Sequence, residues 1–214
     1  MPAIKIPRAN FKIRYSGDPS DAGRRNVPSF VKSDSAIAGS NFMFYDLPSG
    51  NLIGQLIIDG TKKNGGTGKN LDAVSLSSNG SVVFHDESTA SNQASSLVWS
   101  MAAGPIIVLG GKFSDVTWSK YTKSQLEPTI GRQRTCLGVD ASGDFVLAYR
   151  DSINLTDLAG YMKSLGCTDV ITGDGGSSAQ LYLEATNKLY GTDVRSVHVI
   201  PVALTAYTVV STLA

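Results

Sequence analysis

The residue types best suited to chemistry fall in three short segments. The first is Val170-Ile171-Thr172-Gly173-Asp174-Gly175-Gly176-Ser177-Ser178-Ala179. An apolar strand runs there into an acid, two glycines and two serines. Glycine tolerates positive φ and lets a ligand approach the backbone closely, and successive N–H groups in such a turn form an anion-binding concavity. Asp174 at the strand end is a candidate nucleophile or base, although the same letters also describe a plain Asp-Gly hairpin turn. The second segment is Gly131-Arg132-Gln133-Arg134-Thr135-Cys136-Leu137-Gly138-Val139. Arg134 opens a strand and carries the forked donors that suit phosphate or carboxylate, unless a surface ion pair uses them. The third is Ala38-Gly39-Ser40-Asn41-Phe42-Met43-Phe44-Tyr45. An Asn inside an apolar run is costly unless hydrogen-bonded, so Asn41 either binds ligand hydroxyls or ties down backbone.

These groups need a rigid frame. Short apolar runs alternate with Gly, Asn, Ser and Asp clusters, the pattern of strands and turns. Strands are expected over 36–44, 52–58, 73–76, 81–85, 95–102, 106–109, 134–139, 145–149, 169–172, 179–183 and 197–203. Asn79-Gly80 is a strong hairpin signal between two of them. One helix is clear over 155–165, where Leu155, Leu158, Ala159, Met162 and Leu165 recur at helical spacing and Gly166 follows as a stop. A weaker helix is expected within 119–126, and the Gly/Lys/Asn-rich stretch 61–70 reads as a mobile loop. That stretch misses the phosphate-loop spacing, because Asn70 follows Lys69. The expected class is α+β: a strand-dominated, mixed sheet core with the 155–165 helix packed against it.

The 214 residues, 42% hydrophobic, suit a single domain spanning 1–214. The net charge of +1 points to no partner, but its distribution is uneven. Lys5, Arg8, Lys12, Arg14, Arg24, Arg25 and Lys32 face only Asp18 and Asp21, so residues 1–32 form a basic N-terminal arm. It lacks a nucleic-acid motif, and nucleic acid is not expected as a partner. The two cysteines, Cys136 and Cys167, sit in apolar surroundings and read as small buried hydrophobes. No Cys/His cluster has metal spacing, so neither metal nor cofactor is expected. No run of about 18 apolar residues exists to span a membrane, and the first residues lack a secretory pattern. The expectation is a cytoplasmic protein, or one released by a non-classical route.

Six segments together resemble the phosphodiester glycosidase family. Gly173-Asp174-Gly175-Gly176-Ser177-Ser178 resembles its Asp-Gly-Gly-Gly-Ser-Ser turn, one glycine shorter. Arg134 to Asp140, followed by Gly143, is similar to its Arg-Thr strand and hairpin, and Leu155 to Gly166 to the helix before the active-site turn. Ala38 to Tyr45 resembles its Asn-Gly-Gly-Phe-Phe segment, with Phe42 and Met43 at the glycine positions. Ala103-Gly104-Pro105-Ile106-Ile107-Val108 resembles its Gly-Pro strand, and Arg195-Ser196-Val197-His198 its closing strand, with His198 where Asn is usual. The resemblance runs from about 37 to 203 and is strongest over 134–183.

The resemblance implies a hydrolase that cleaves a sugar-1-phosphodiester, with a phosphate-containing glycan such as an N-acetylglucosamine phosphodiester as substrate. It implies Asp174 as the carboxylate and Arg134 as the phosphate clamp. The N–H groups of Gly175, Gly176 and Ser177 would serve as donors, with Asn41, Ser178 and His198 orienting the substrate. Glycosidases normally use a second carboxylate, and Asp59 is the best placed of Asp59, Asp72 and Asp151. Two alternatives stand beside it: a non-catalytic carbohydrate, phosphopolymer or attachment module, and an intracellular hydrolase of nucleotide sugars.

Overall fold

The computed structural model describes residues 2–15, 26–46, 49, 51–66, 68–121, 126–191, 202–207 and 211–213. In chain order its strands are β1 (Ala3–Ile6), β2 (Phe11–Tyr15), β3 (Ala38–Asn41), β4 (Gln55–Ile58), β5 (Thr61–Gly65) and β6 (Asp72–Ser77). There follow β7 (Val82–Asp86), β8 (Leu97–Ala103), β9 (Ile106–Leu109), β10 (Lys112–Phe113), β11 (Arg132–Asp140) and β12 (Phe145–Ile153). The last are β13 (Cys167–Thr172), β14 (Gln180–Leu183), β15 (Lys188–Gly191), β16 (Val202–Ala206) and β17 (Ser211–Leu213). Three α-helices lie among the described residues: α1 (Val27–Ser33), α2 (Glu87–Asn92) and α3 (Leu155–Ser164).

The strands form three sheets. One has seven strands in the order β10-β9-β13-β11-β12-β1-β17, and two have five, β15-β14-β3-β16-β2 and β5-β4-β8-β6-β7. Period-two alternation sets the faces of the large sheet. Leu137, Val139, Phe145 and Leu147 point into a core shared with the other sheets. Cys136, Val146 and Ala148 point to the opposite face, where α3 packs with Leu155, Leu158, Ala159 and Met162. Each sheet sends one aromatic ring to the centre: Phe11 from β2, Trp99 from β8 and Phe145 from β12, with centroids 4.4–5.7 Å apart. Asn154 caps α3 by accepting the Asp157 N–H at 2.8 Å, the expected start of that helix.

The α+β class, the strand-dominated core and the 155–165 helix agree with expectation. Three features correct it. Every strand pairing among the described residues is antiparallel, whereas a mixed sheet was expected. The α3 crossover joins β12 to β13, which run in the same direction but have β11 between them, so the crossover creates no parallel pair. α1 and α2 were not foreseen. They have 7 and 6 residues, too few to show helical periodicity, and side-chain caps from Asn26 and Asp86 start them.

The third correction concerns two segments read as irregular. Residues 61–65 form the strand β5 instead of a loop, because β4 supplies its hydrogen-bond partners. The basic N-terminal stretch is not a free arm over 3–15: β1 pairs with both β12 and β17, and β2 with β16. Its charged side chains alternate with Ile4, Ile6, Phe11 and Ile13, which enter the core. Within 119–126, a 3-10 turn covers Trp118–Lys120, and 122–125 lie outside the described residues. The Asn79-Gly80 hairpin forms between β6 and β7, with Gly80 at φ 85°. Cys136 and Cys167 are free and buried, as read.

Candidate active site

The Asp174 turn is not a hairpin. β13 lies in the seven-stranded sheet and β14 in a five-stranded one, so residues 173–179 carry the chain from one sheet to the next. The crossing is tied down from both sides. Gly173 N–H donates to the Thr135 carbonyl at 2.9 Å, and Asp174 N–H to the Phe42 carbonyl at 2.7 Å. The Asp174 carbonyl accepts from Asn41 Nδ2 at 3.2 Å and Thr135 Oγ1 at 3.1 Å. Asn41 Oδ1 accepts the Gln180 N–H at 2.8 Å, so one buried amide grips the turn at both ends.

Three glycines are required here: a Cβ on Gly175 would stand 2.9 Å from the Gln133 carbonyl oxygen. A Cβ on Gly173 would lie 2.7 Å from Thr135 Oγ1 and 2.8 Å from Phe42 Cδ2, distances that side chains cannot share. Gly176 sits at φ 61°, where side-chain-bearing residues are strained. The result is a rigid ledge that presents the Asp174 side chain.

That ledge floors a cavity of about 240 Å3 lined by Phe44, Tyr45, Ile53, Gly104, Pro105, Tyr121, Leu126, Arg132, Arg134 and residues 172–176. Among the described residues Asp174 is the one carboxylate in that lining. Burial pushes its carboxyl up to about 7, against opposing hydrogen bonds from the Ser178 hydroxyl and the Gly175 N–H. Water exclusion penalises the charged form, so the group can take up or release a proton near neutral pH.

The cationic wall is made by β11. Arg132 and Arg134 are two residues apart on one strand and share a face, and both line the cavity. Arg134 is 6% exposed and spends most of its donors on backbone. Nε donates to the Ile153 carbonyl at 3.0 Å, and Nη2 to those of Leu126 at 3.0 Å and Glu127 at 2.8 Å. Burial, aided by the Arg132 charge, holds its pKa down to about 10, so it remains cationic at neutral pH. Arg132 is more exposed and pairs with Glu127 through Nε. Its Nη1 lies 3.7 Å from where a Cβ on Gly176 would stand, which sets the guanidinium beside the Asp174 turn.

On the far wall, Tyr121 donates its hydroxyl hydrogen to the Ala103 carbonyl at 2.8 Å and accepts the Asp72 N–H at 2.9 Å. Burial first, then the Asp72 charge, pushes this phenol well above its ordinary value, so it stays neutral. Asp72 itself is locked by Lys120 at 2.8 Å and the Ile106 N–H at 3.0 Å.

The structure places the expected site residues unevenly. Asp174, Arg134, Gly175 and Gly176 line one cavity. Ser178 is buried and touches the Asp174 carboxyl, so it positions that group. Ser177 is exposed and is not part of the lining. Asn41, expected to contact substrate, is 1% exposed and has both amide atoms on the turn backbone; backbone tie-down was the other sequence reading. Asp59 is corrected: it occupies the β4–β5 turn at φ 50° and lines a separate cleft with Arg8 and Lys12. Asp72 is consumed by its ion pair, and Asp151 lines another cleft beside Tyr149. His198 lies outside the described residues. Sequence reading passed over Arg132 and Tyr121. Arg132 was detectable by strand alternation from Arg134, whereas nothing in the sequence marked Tyr121.

No three His, Cys, Asp or Glu side chains among the described residues lie together so as to hold a metal ion. No helix among them is long and apolar enough to cross a membrane.

Two guanidinium groups and one carboxyl line the same small cavity, an arrangement suited to holding an anion. The model of the phosphodiester glycosidase family matches residues 34–202; the chain belongs to that family, a family of hydrolases. Solved structures agree on the fold. The zebrafish N-acetylglucosamine-1-phosphodiester alpha-N-acetylglucosaminidase catalytic domain, auto-inhibited by its pro-peptide, superposes with TM-score 0.79 at 20% identity, covering 94% of this chain and 74% of that one. A hypothetical protein from Synechocystis superposes with TM-score 0.77 at 12% identity, covering 95% of this chain and 58% of that one. A search of the curated proteins finds no match.

Proposed function

We propose that the chain hydrolyses the bond between an anomeric carbon and a phosphodiester oxygen, releasing free sugar and a phosphomonoester. The observation that carries this is the shared cavity: Asp174 on its floor and the Arg132–Arg134 pair on its wall. The cavity is below the usual range of about 300–1,000 Å3 for ligand sites, which suits one small polar unit. Arg132 and the free edge of Arg134 hold the phosphate and take up the charge that grows on the leaving oxygen. A phosphate monoester is a good leaving group, so the bond breaks without a strong acid. That suits a lining in which Asp174 is the one carboxylate among the described residues, where ordinary glycosidases use two.

Asp174 is the base that removes a proton from the attacking water, and its raised pKa matches that task near neutral pH. The bond from water oxygen to the anomeric carbon forms as the bond to the phosphate oxygen breaks. The water proton passes to Asp174 and then to solvent. Asn41, Thr135 and Ser178 act through the ledge, holding Asp174 in place.

The test is release of free sugar from a sugar-1-phosphodiester. Wild type should release it, and Asp174→Asn should lose about a thousandfold or more in kcat, as expected for a general base combined with water positioning. An unimpaired Asp174→Asn variant would sink this assignment. One carboxylate in the lining among the described residues also fits a second reading, a module that binds sugar phosphates without turnover; saturable binding with no sugar release would favour it.

A further inference from the structure

We propose that Glu127 is a specificity-determining residue that matches the site to a singly charged phosphodiester and against a doubly charged phosphomonoester; this rests on the hydrolase reading above. The two cavity arginines carry two positive charges. Arg134 faces backbone carbonyls and has no carboxylate partner among the described residues. Arg132 has one, Glu127, through Nε and Oε2. That oxygen is buried and makes no hydrogen bond apart from the ion pair.

The pairing is built into the backbone. Glu127 holds φ 34°, a conformation disfavoured for a residue with a side chain. Arg134 Nη2 fixes it there by bonding its carbonyl at 2.8 Å, and bonds the Leu126 carbonyl at 3.0 Å. One arginine therefore shapes the loop that delivers a carboxylate to the other. With Glu127 in place, the arginine wall has a net charge of +1 instead of +2.

That value matters for the reaction. The diester substrate carries one negative charge. The phosphomonoester product carries about −1.5 to −2 at pH 7. Repulsion from a nearby carboxylate scales with the ligand's charge, so Glu127 weakens product binding more than substrate binding. It thereby favours release of the phosphomonoester after each turnover.

The test needs no turnover. Methyl phosphate and dimethyl phosphate are titrated onto the purified chain at pH 7.5, and their affinities compared as a ratio. Glu127→Gln should tighten methyl phosphate about tenfold, through relief of like-charge repulsion near the ligand, and dimethyl phosphate by clearly less. Glu127→Asp, which keeps the charge, should retain the wild-type ratio. A wild-type ratio in Glu127→Gln, or an equal change in both variants, overturns the proposal; with sugar release intact, the hydrolase reading survives that result. If wild type binds neither anion and Arg132→Ala changes nothing, the arginine site fails and both readings fall together.

Discussion

Replacing Asp174 by Asn should stabilise the protein, and only above a definite pH. The carboxyl moves from its ordinary 3.8 to about 7 in the folded chain, mainly through burial. Between those values the unfolded chain is ionised while the folded chain keeps its proton. Wild type therefore loses stability as pH rises from about 4 to about 7 and then levels off. The full shift corresponds to about 4 kcal/mol between the two protonation states. The side chain still reaches a solvent-connected cavity, so about half of that is a realistic expectation. Asn is neutral at every pH and nearly the same shape. At pH 8 the variant should melt about 4–8 °C above wild type, at about 2–4 °C per kcal/mol for a chain of this size. At pH 4 the two should coincide. Thermal denaturation across pH 4–8 reads both curves directly. Equal melting temperatures at pH 8, or the same offset at both ends of the range, would refute a buried carboxyl with a raised pKa.

Further outcomes follow from the same contacts. In wild type, kcat/KM for a sugar-1-phosphodiester should rise with pH through about 7, since the base works only when ionised; a flat profile over pH 5–8 contradicts that role. Arg132→Ala should raise KM ten- to a hundredfold, the loss of about 1.5–3 kcal/mol from a charged hydrogen bond, and should also lower the melting temperature, because the buried Glu127 oxygen loses its partner. Asn41→Ala strands the Gln180 N–H and relaxes the Asp174 carbonyl; it should cost about 2–3 kcal/mol in denaturant melts and lower kcat more than it raises KM. Leu158→Ala, behind the large sheet, should cost about 2–5 kcal/mol without moving the pH profile of the remaining activity.

The sequence made the framework of the site readable where a local pattern has one physical meaning. The α3 stripe, the Asn79-Gly80 hairpin and the apolar runs of β9, β11, β12 and β13 depend on periodicity and turn chemistry within a few residues. Asp174, Gly175 and Gly176 were readable because glycines around an acid at a strand end are locally unusual. What escaped depends on partners distant in sequence. β1, β2 and β5 are strands because neighbours supply hydrogen bonds, and basic side chains mask their alternation. Asn41 could be called ligand or brace only once the 173–180 crossing lay against it. Asp59 was preferred for its place after an apolar strand, yet that strand points it into a different cleft. Tyr121 reaches the cavity, and Glu127 reaches Arg132, through loops whose paths no local pattern encodes.

The central claim is that Asp174 and the arginine pair act on one substrate. Free-sugar release from sugar-1-phosphodiesters, beginning with an N-acetylglucosamine-1-phosphodiester, tests it most directly. Wild type, Asp174→Asn and Arg132→Ala would be run together. The predicted result is turnover by wild type, loss of kcat in Asp174→Asn and a raised KM in Arg132→Ala. Release that survives both substitutions unchanged would contradict it, since the chemistry would then lie elsewhere in the molecule.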